Sequence, residues 1–285
     1  WLPEERLPRG ARGLDTAWLR KHLHVAGLST AMSLASIALI GLQIAVQGSH
    51  LRLKIAVVFT VVVPLGFYLA LRQVSRMVAR MALFIFLHGC LHPSYPDTMF
   101  QWMLRAQDGP RFSKVVLGWT DFTGSLGLLL GVWIYSNFLT RRTYRFIFAL
   151  AILATVVPSA FEILLVTRLN RVLGIPDLLV AFSDDAFSNC IVRLVRLPVA
   201  VLAMKSCPPG MEGSVMSLVL SLGAFGHSLG VLYGSCILEA FGVVHHHYGR
   251  LADALVVRGA VRLLPLLLVP VLVPAGLRPC DDEAG

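Results

Sequence analysis

The sequence predicts an all-α, polytopic membrane protein with about eight transmembrane helices. Of its 285 residues, 56% are hydrophobic and only 14% are charged. Soluble domains carry about 25% charged residues, so a soluble chain of this length would have too few charges to cover its surface. The apolar residues also gather in runs of about 20, which is the length that a helix needs to cross the hydrocarbon core of a bilayer. The bilayer is therefore the predicted solvent.

Eight apolar runs are predicted to span the membrane. Pro93 and Pro96 interrupt the third run, because proline breaks the hydrogen-bond ladder of a helix. The sixth run is more polar than a transmembrane span usually is. Short loops connect the runs and leave no room for a soluble domain. The predicted spans are residues 23–46, 54–71, 78–104, 115–139, 144–167, 177–204, 214–241 and 251–277.

The net charge of +9 is attributed to cationic loops on the cytoplasmic face rather than to a nucleic-acid partner. Cytoplasmic loops of membrane proteins carry an excess of Lys and Arg. If the chain enters the membrane from the cytoplasm at residue 23, the predicted cytoplasmic segments hold more of these residues than the opposite segments do. Both ends are thus expected inside. The chain starts with Trp1 and not with Met, so we expect a piece of a longer protein.

No cofactor, metal or enzymatic site is predicted. The five cysteines form no CxxC pair, and three of them lie in apolar stretches, which is typical of packing residues. Three consecutive histidines, His245 to His247, rarely converge on one metal ion. The sequence contains no nucleophile elbow, zinc-protease motif, phosphate-binding loop or dinucleotide fingerprint. The cysteines are Cys90, Cys190, Cys207, Cys236 and Cys280.

The sixth span is the most informative for function, because it holds four charged residues. A charge at the centre of a membrane helix costs roughly 2.5–3.5 kcal/mol, so four unpaired charges would cost on the order of 10 kcal/mol. The charges must pair or face a water-filled cavity. We predict a helix that couples a substrate or a proton; the alternative is that the acids lie at the membrane edge and the arginines pair with a neighbouring helix. These residues are Asp184, Asp185, Arg193 and Arg196.

Spacing along the sixth span limits how these charges can interact. Asp185 and Arg196 are 11 residues apart, which puts them on one face of a helix. They are also roughly 16 Å apart along the axis, so they cannot pair directly. Pro198 removes a backbone hydrogen bond nearby and is expected to kink the helix.

Two further acids are candidates for the same pathway. Glu162 lies in the middle of the fifth span, and a carboxylate inside a membrane is a functional candidate. The alternative is a structural partner for Arg193 or Arg196. Asp121, in the fourth span, is expected to lie near enough to the surface to reach water.

Two stripes of glycine predict close helix packing without a ligand. Small residues on one helix face let the backbones of neighbouring helices approach. The seventh span carries Gly226, Gly230 and Gly234 at four-residue spacing, and the fourth carries Gly124, Gly127 and Gly131. His227 is interpreted as a hydrogen-bonded packing residue, with a proton relay as the alternative.

Two segments resemble the signature of the folate–biopterin transporters, a family of the major facilitator superfamily. They are RLNRVLGIPD at 168–177 and LPVAVLAMKSCPPGMEGSVMSLVLSLGAFG at 197–226. The resemblance assigns a structural role to the turn between the sixth and seventh spans. The motif residues are Gly174, Pro176, Asp177, Pro198, Cys207, Pro208, Gly210, Glu212 and Gly213, with the seventh-span glycines.

The resemblance implies two six-helix bundles around a central cavity, of which this chain would contain the end of the first and the whole second. Residues 1–22 would form a polar N-terminal segment, and 23–75 the last two helices of the first bundle. Residues 76–277 would form the C-terminal bundle, and 278–285 a polar tail.

The implied activity is alternating access around a site near the middle of the membrane. The implied solute is folate, a pterin or a similar small anion. Arg193 and Arg196 would hold a carboxylate, and Asp184 or Asp185 would carry a proton, H⁺ being the suspected coupling ion, or bind donors of the pterin. The protein is expected in a membrane, and the plasma membrane and organellar envelopes are alternative locations.

Alternatives from other classes remain, because several polar positions depart from the family pattern. Ser183 stands where the family usually has glycine, and Ala224 stands where asparagine is common. One alternative is a non-transporting membrane interaction protein, or a degenerate paralogue with the same fold. Another is a major facilitator transporter for a different solute.

Overall fold

The computed structural model describes residues 23–46, 48–206, 212–243 and 248–279, and within these ranges it contains helices and no strands. A π-helical turn (Tyr135–Leu139) follows the fifth helix, and a 3₁₀ turn (Leu264–Leu267) precedes the last. The α-helices in chain order are α1 (Leu23–Ala45), α2 (Ser49–Val74), α3 (Arg76–Cys90), α4 (Pro96–Arg105), α5 (Lys114–Ile134), α6 (Tyr144–Ala154), α7 (Val156–Val166), α8 (Leu169–Val172), α9 (Asp177–Lys205), α10 (Glu212–Ala240), α11 (Leu251–Val261) and α12 (Val269–Leu272).

Seven helical stretches in the described ranges are long and apolar enough to cross a membrane. Together with the helix-only architecture, they confirm the prediction of an all-α polytopic membrane protein. Each stretch corresponds to a predicted span. The stretches are Gly27–Ala45, His50–Gln73, Lys114–Leu139, Tyr144–Val166, Asp177–Lys205, Gly213–Ala240 and Leu251–Leu272.

The third predicted span differs, because it consists of two short helices instead of one crossing helix. α3 begins after Ser75, whose hydroxyl accepts a hydrogen bond from the Val78 amide at 3.5 Å. α3 ends at Cys90, and α4 begins at Pro96, where a missing amide hydrogen has no cost. Residues 91–95 form a non-helical connection, which we call the α3–α4 break. The expected interruption is therefore present, and it divides the span.

Prolines also shape the fifth and eighth predicted spans. The fifth is divided at Thr155, whose hydroxyl donates to the Ile152 carbonyl at 2.6 Å. Pro158 lies in the first turn of α7, where it has no amide hydrogen to donate. The eighth ends at residue 272 and not at 277, since its second half is a 3₁₀ turn and the four-residue α12, each with proline near its start.

Two tight helix pairs hold the bundle together, and glycine makes both possible. α9 packs along α5, where a Cβ added at Gly131 would lie 2.6 Å from the Cys190 carbonyl oxygen. α10 packs along α3, where a Cβ added at Gly89 would lie 2.7 Å from the His227 amide nitrogen. Backbone contacts of this kind are typical of membrane helices, which lack a hydrophobic driving force for association.

The remaining helices complete the apolar interior. Phe84 of α3 and Phe148 of α6 are fully buried, with ring centroids 4.8 Å apart. A second buried cluster joins α4 to the ends of α7, α9, α10 and α11, and includes Trp102 and Leu251. α1 and α2 expose many large apolar side chains, as lipid-facing helices do.

Candidate functional site

Asp184 lies half-buried on α9, of which it is the eighth residue. Its Oδ1 atom is buried and has no hydrogen-bond partner among the described residues. Asp185 and Arg262 are close enough to act on it electrostatically, and Arg262 follows directly after α11. Burying a carboxylate oxygen without a hydrogen-bond donor is costly. This oxygen can therefore still accept a proton or a hydrogen bond from a polar group.

Asp185 faces α5 rather than α11. The Asn189 side-chain amide donates to Asp185 Oδ1 at 3.2 Å and to the Asp185 carbonyl at 3.0 Å. A Cβ added at Gly124 would lie 3.0 Å from the Asp185 carboxyl carbon. Asp121, exposed on α5, acts on Asp185 electrostatically. The structure thus brings two of the predicted acids together between α5 and α9.

The two predicted arginines of α9 have different surroundings. Arg193 is half-buried beside Gly131, and its Nε is a buried donor without a partner within the described ranges. Arg196 is exposed, and it acts electrostatically on His88 of α3 and His227 of α10. His227 is also exposed. Arg196 and His227 therefore form a polar area on the face shared by α9 and α10.

Glu162 pairs with Arg258 of α11, and not with Arg193 or Arg196 as the sequence suggested. Arg258 is 2% exposed, and its guanidinium carbon lies 4.8 Å from the centre of the Tyr95 ring. The Tyr95 hydroxyl donates to the Ala254 carbonyl at 3.0 Å. Through Glu162 and Tyr95, the Arg258 side chain therefore joins α7, α11 and the start of α4.

Arg258 and Arg262 are the principal residues that the sequence interpretation overlooked. Both lie in the predicted eighth span, and both are buried, at 2% and 8% exposure. Their four-residue spacing puts them on one helix face. Two arginines one turn apart in an apolar run are a signal comparable to the four charges of the sixth span, since each must find a polar partner.

The 168–177 motif forms a compact turn that fixes the start of α9. Gly174 has φ +72°, a conformation that favours glycine. The Asp177 carboxylate accepts hydrogen bonds from the Asn170 amide at 2.6 Å, from Arg171 at 2.8 Å and from Arg168 at 3.1 Å. The hydrogen bond to Asp177 raises the pKa of the Arg171 guanidinium. We interpret this motif as structural.

Arg168 connects that turn to the loop after α4. Its Nε donates to the Asp108 carbonyl at 2.6 Å, and its guanidinium lies 5.2 Å from the centre of the Trp102 ring. Its backbone has φ 62°. Desolvation lowers the pKa of Arg168, and Asp177 opposes that shift. The two loops therefore lie at the same end of the bundle.

The other motif residues divide into two groups. Pro176 precedes α9, Pro198 is buried within it, and a Cβ at Gly213 would meet no neighbour within 4 Å. Cys207, Pro208, Gly210, the Glu212 side chain, and His245 to His247 lie outside the part that the structure describes, as do residues 1–22 and 280–285.

The described residues include no group of three His, Cys, Asp or Glu side chains placed to hold a metal ion. Two cavities lie away from the charged residues of α9. One, of about 430 Å³, is lined by α1 and α10 and includes Ser33, Ser36 and Ser221. The other, of about 240 Å³, is lined by Gln43, Arg52 and Ser235 among others.

Comparison with known proteins agrees with the resemblance seen in the sequence. Probable folate-biopterin transporter 5 of Arabidopsis thaliana is 32% identical over 195 residues, which cover 68% of this chain and 39% of that protein. The folate-biopterin transporter of Synechocystis sp. is 28% identical over 165 residues, or 58% of this chain and 33% of that protein.

Folate transporter 2 of Plasmodium falciparum is 25% identical over 190 residues, covering 67% of this chain and 40% of that protein. The matches thus span about two fifths or less of the length of these relatives. No solved structure matches the chain significantly. The profile of the BT1 family matches residues 28–284, nearly the whole sequence, and this integral multi-pass membrane protein therefore belongs to the BT1 family.

Proposed function

We propose that the chain is the C-terminal part of a transporter that moves folate, a pterin or a similar small anionic solute by alternating access. The names of its relatives support the solute class, since three of them are called folate-biopterin or folate transporters. Residues 23–75 would end a first bundle, residues 76–277 would form the second, and 278–285 a polar tail.

The exposed Arg196 is the observation that carries this proposal. Arg196 lies five residues past the midpoint of α9, roughly 8 Å along the axis, so it is well inside the membrane. An arginine facing lipid there would cost roughly 2.5–3.5 kcal/mol. Water or another polar surface must therefore face it. A first bundle packed around a central water-filled cavity would supply that surface.

The charges near Arg196 suit an anionic solute with hydrogen-bonding groups. Arg193 and Arg196 would attract a carboxylate, because guanidinium groups bind carboxylates with two parallel hydrogen bonds. The unpartnered Asp184 would accept hydrogen bonds from donors of the solute or carry a coupled proton. The other candidate acids for the substrate or proton pathway are Asp185, Asp121 and Glu162. Of these, we assign Glu162 to the structural pair with Arg258.

Uptake of labelled folate by the complete protein tests this proposal. Asp184→Asn and Arg196→Gln should each reduce uptake at least about tenfold at equal membrane abundance, the effect of losing about 1.4 kcal/mol of binding. The matched control is Arg250→Gln, which removes an exposed arginine outside the spans. Unchanged uptake in both α9 variants would remove this helix from the mechanism.

A panel of competing solutes distinguishes the alternatives. Competition by folate and pterins, but not by unrelated anions, is expected. Competition only by another solute would identify a transporter of different specificity. A complete, membrane-inserted protein that takes up none of the solutes would favour a non-transporting role.

A further inference from the structure

The α3–α4 break lies at membrane depth, where unpaired backbone groups are costly. Gly230 of α10 packs against it, since a Cβ added at Gly230 would lie 2.9 Å from the His92 carbonyl oxygen. Gly230 is four residues past the midpoint of α10, roughly 6 Å along its axis. Non-helical backbone at such depth is tolerated only where protein or trapped water satisfies it.

α11 and the residue that follows it hold this break in place. Arg262 Nε donates to the Pro93 carbonyl at 3.3 Å, which satisfies a backbone acceptor of the break. The Tyr95 hydroxyl donates to the Ala254 carbonyl, and Arg258 lies over the Tyr95 ring. The interrupted helix is thus attached to α11 at both Pro93 and Tyr95.

The two arginines differ in how their charge is balanced. Arg258 pairs with Glu162, so its charge is compensated within the α7–α11 contact. Arg262 is buried, with only 8% of its surface exposed. It nevertheless forms no ion pair within 4 Å in the described ranges. Asp184 is the carboxylate that acts on it electrostatically, and Asp184 Oδ1 has no hydrogen-bond partner in the same ranges.

We propose that Arg262 is a positioning residue shared between the Pro93 carbonyl and Asp184. The charge of Asp184 attracts the guanidinium, and the Pro93 carbonyl competes for it. A solute that engages Asp184 weakens that attraction and strengthens the attachment of the α3–α4 break. Solute binding on α9 is thereby coupled to the conformation of α3 and α4. The transport role of this coupling rests on the proposed function, whereas the competition itself does not.

Amide hydrogen exchange of residues 89–100, in the complete protein in lipid nanodiscs without solute, tests the competition. Exchange reports local opening of the backbone. Arg262→Gln should accelerate it about tenfold, the change expected from the loss of one charge-assisted hydrogen bond. Asp184→Asn should slow it, because Arg262 then stays with Pro93. Arg262→Lys, which keeps the charge, should lie between wild type and Arg262→Gln, and Arg250→Gln should match wild type.

The opposite signs separate a shared arginine from a merely structural one. A purely structural network would loosen in both variants, so faster exchange in Asp184→Asn would overturn the proposal. Unchanged exchange in Arg262→Gln would overturn it as well. If Arg262→Gln does not fold, the direction of change in Asp184→Asn decides alone. Failure of transport is distinguishable, because wild-type protein without uptake but with this exchange pattern would refute only the proposed function.

Discussion

At the scale of single residues, the Glu162–Arg258 pair is the most deeply buried ion pair among the described residues. Taking two charges out of water is costly, and their attraction repays that cost only while both are present. Arg258 also contacts Tyr95, which anchors the start of α4. The pair therefore has a consequence for stability that is separate from any role in transport.

Removing one member of this pair should be more damaging than removing both charges. Glu162→Gln leaves Arg258 buried without compensation and should lower the free energy of unfolding by about 3 kcal/mol. The double variant Glu162→Gln with Arg258→Met should recover much of that loss, because an apolar replacement of a buried pair is often neutral. Thermal unfolding of the complete protein in detergent measures both. Additive losses in the double variant would contradict an energetic coupling.

The sequence identified Glu162 as a membrane carboxylate in need of a partner, but it proposed the wrong arginines. The error has a physical origin. Helical spacing relates residues on one helix, whereas the choice between Arg193, Arg196 and Arg258 depends on which helix packs against α7. The same reason explains why the sequence did not single out Arg262, whose hydrogen-bond partner Pro93 lies far from it in the chain.

At the scale of helices, the glycine stripe of α5 determines how closely α9 approaches. A Cβ at Gly127 would collide with the Ala186 backbone of α9. Backbone atoms cannot rotate away as a side chain can, so the helices would have to separate. The contact also positions Asp185 against α5, which links helix packing to the candidate site.

A pair of alanine substitutions on α5 tests this packing. Gly127→Ala should destabilise the protein by about 1–3 kcal/mol through overpacking. Gly118→Ala on the same helix meets no atom within 4 Å and should stabilise by up to about 1 kcal/mol, since alanine favours helix over glycine. Thermal unfolding of the two variants in detergent compares them. Equal stability of Gly127→Ala and wild type would show that α9 can shift without cost.

Helices were the part of the fold that the sequence predicted best, because hydrophobic length and proline position are local properties. The spans corresponding to α2, α5, α9 and α10 follow from apolar runs, and the α3–α4 break follows from Pro93 and Pro96. The division at Thr155 was not predicted. The short 3₁₀ turn near residue 265 was not predicted either. Both interruptions lie within continuous apolar runs, so hydropathy does not reveal them.

At the scale of the whole molecule, the charged residues near the ends of the spans differ between the two ends of the bundle. At one end, Arg145 Nε donates to the Val273 carbonyl at 2.9 Å, and Lys205 Nζ donates to the Pro279 carbonyl at 2.8 Å. At the other end, Arg168 and Arg250 lie beside the acids Asp177 and Asp253. A cationic end and an end of mixed charge correspond to the orientation rule for membrane proteins, in which Lys and Arg accumulate in the cytoplasm.

Labelling of single cysteines in intact cells tests that orientation. In a complete protein whose native cysteines are replaced, Asp108→Cys should react with a membrane-impermeant maleimide, because the loop at residue 108 lies at the end with the paired arginines. Thr143→Cys, near the cationic end, should react only after the membrane is permeabilised. The reverse pattern would place the cationic end outside. It would also invert the side from which Arg196 first meets solute, since Arg196 lies nearer the Lys205 end of α9 than the Asp177 end.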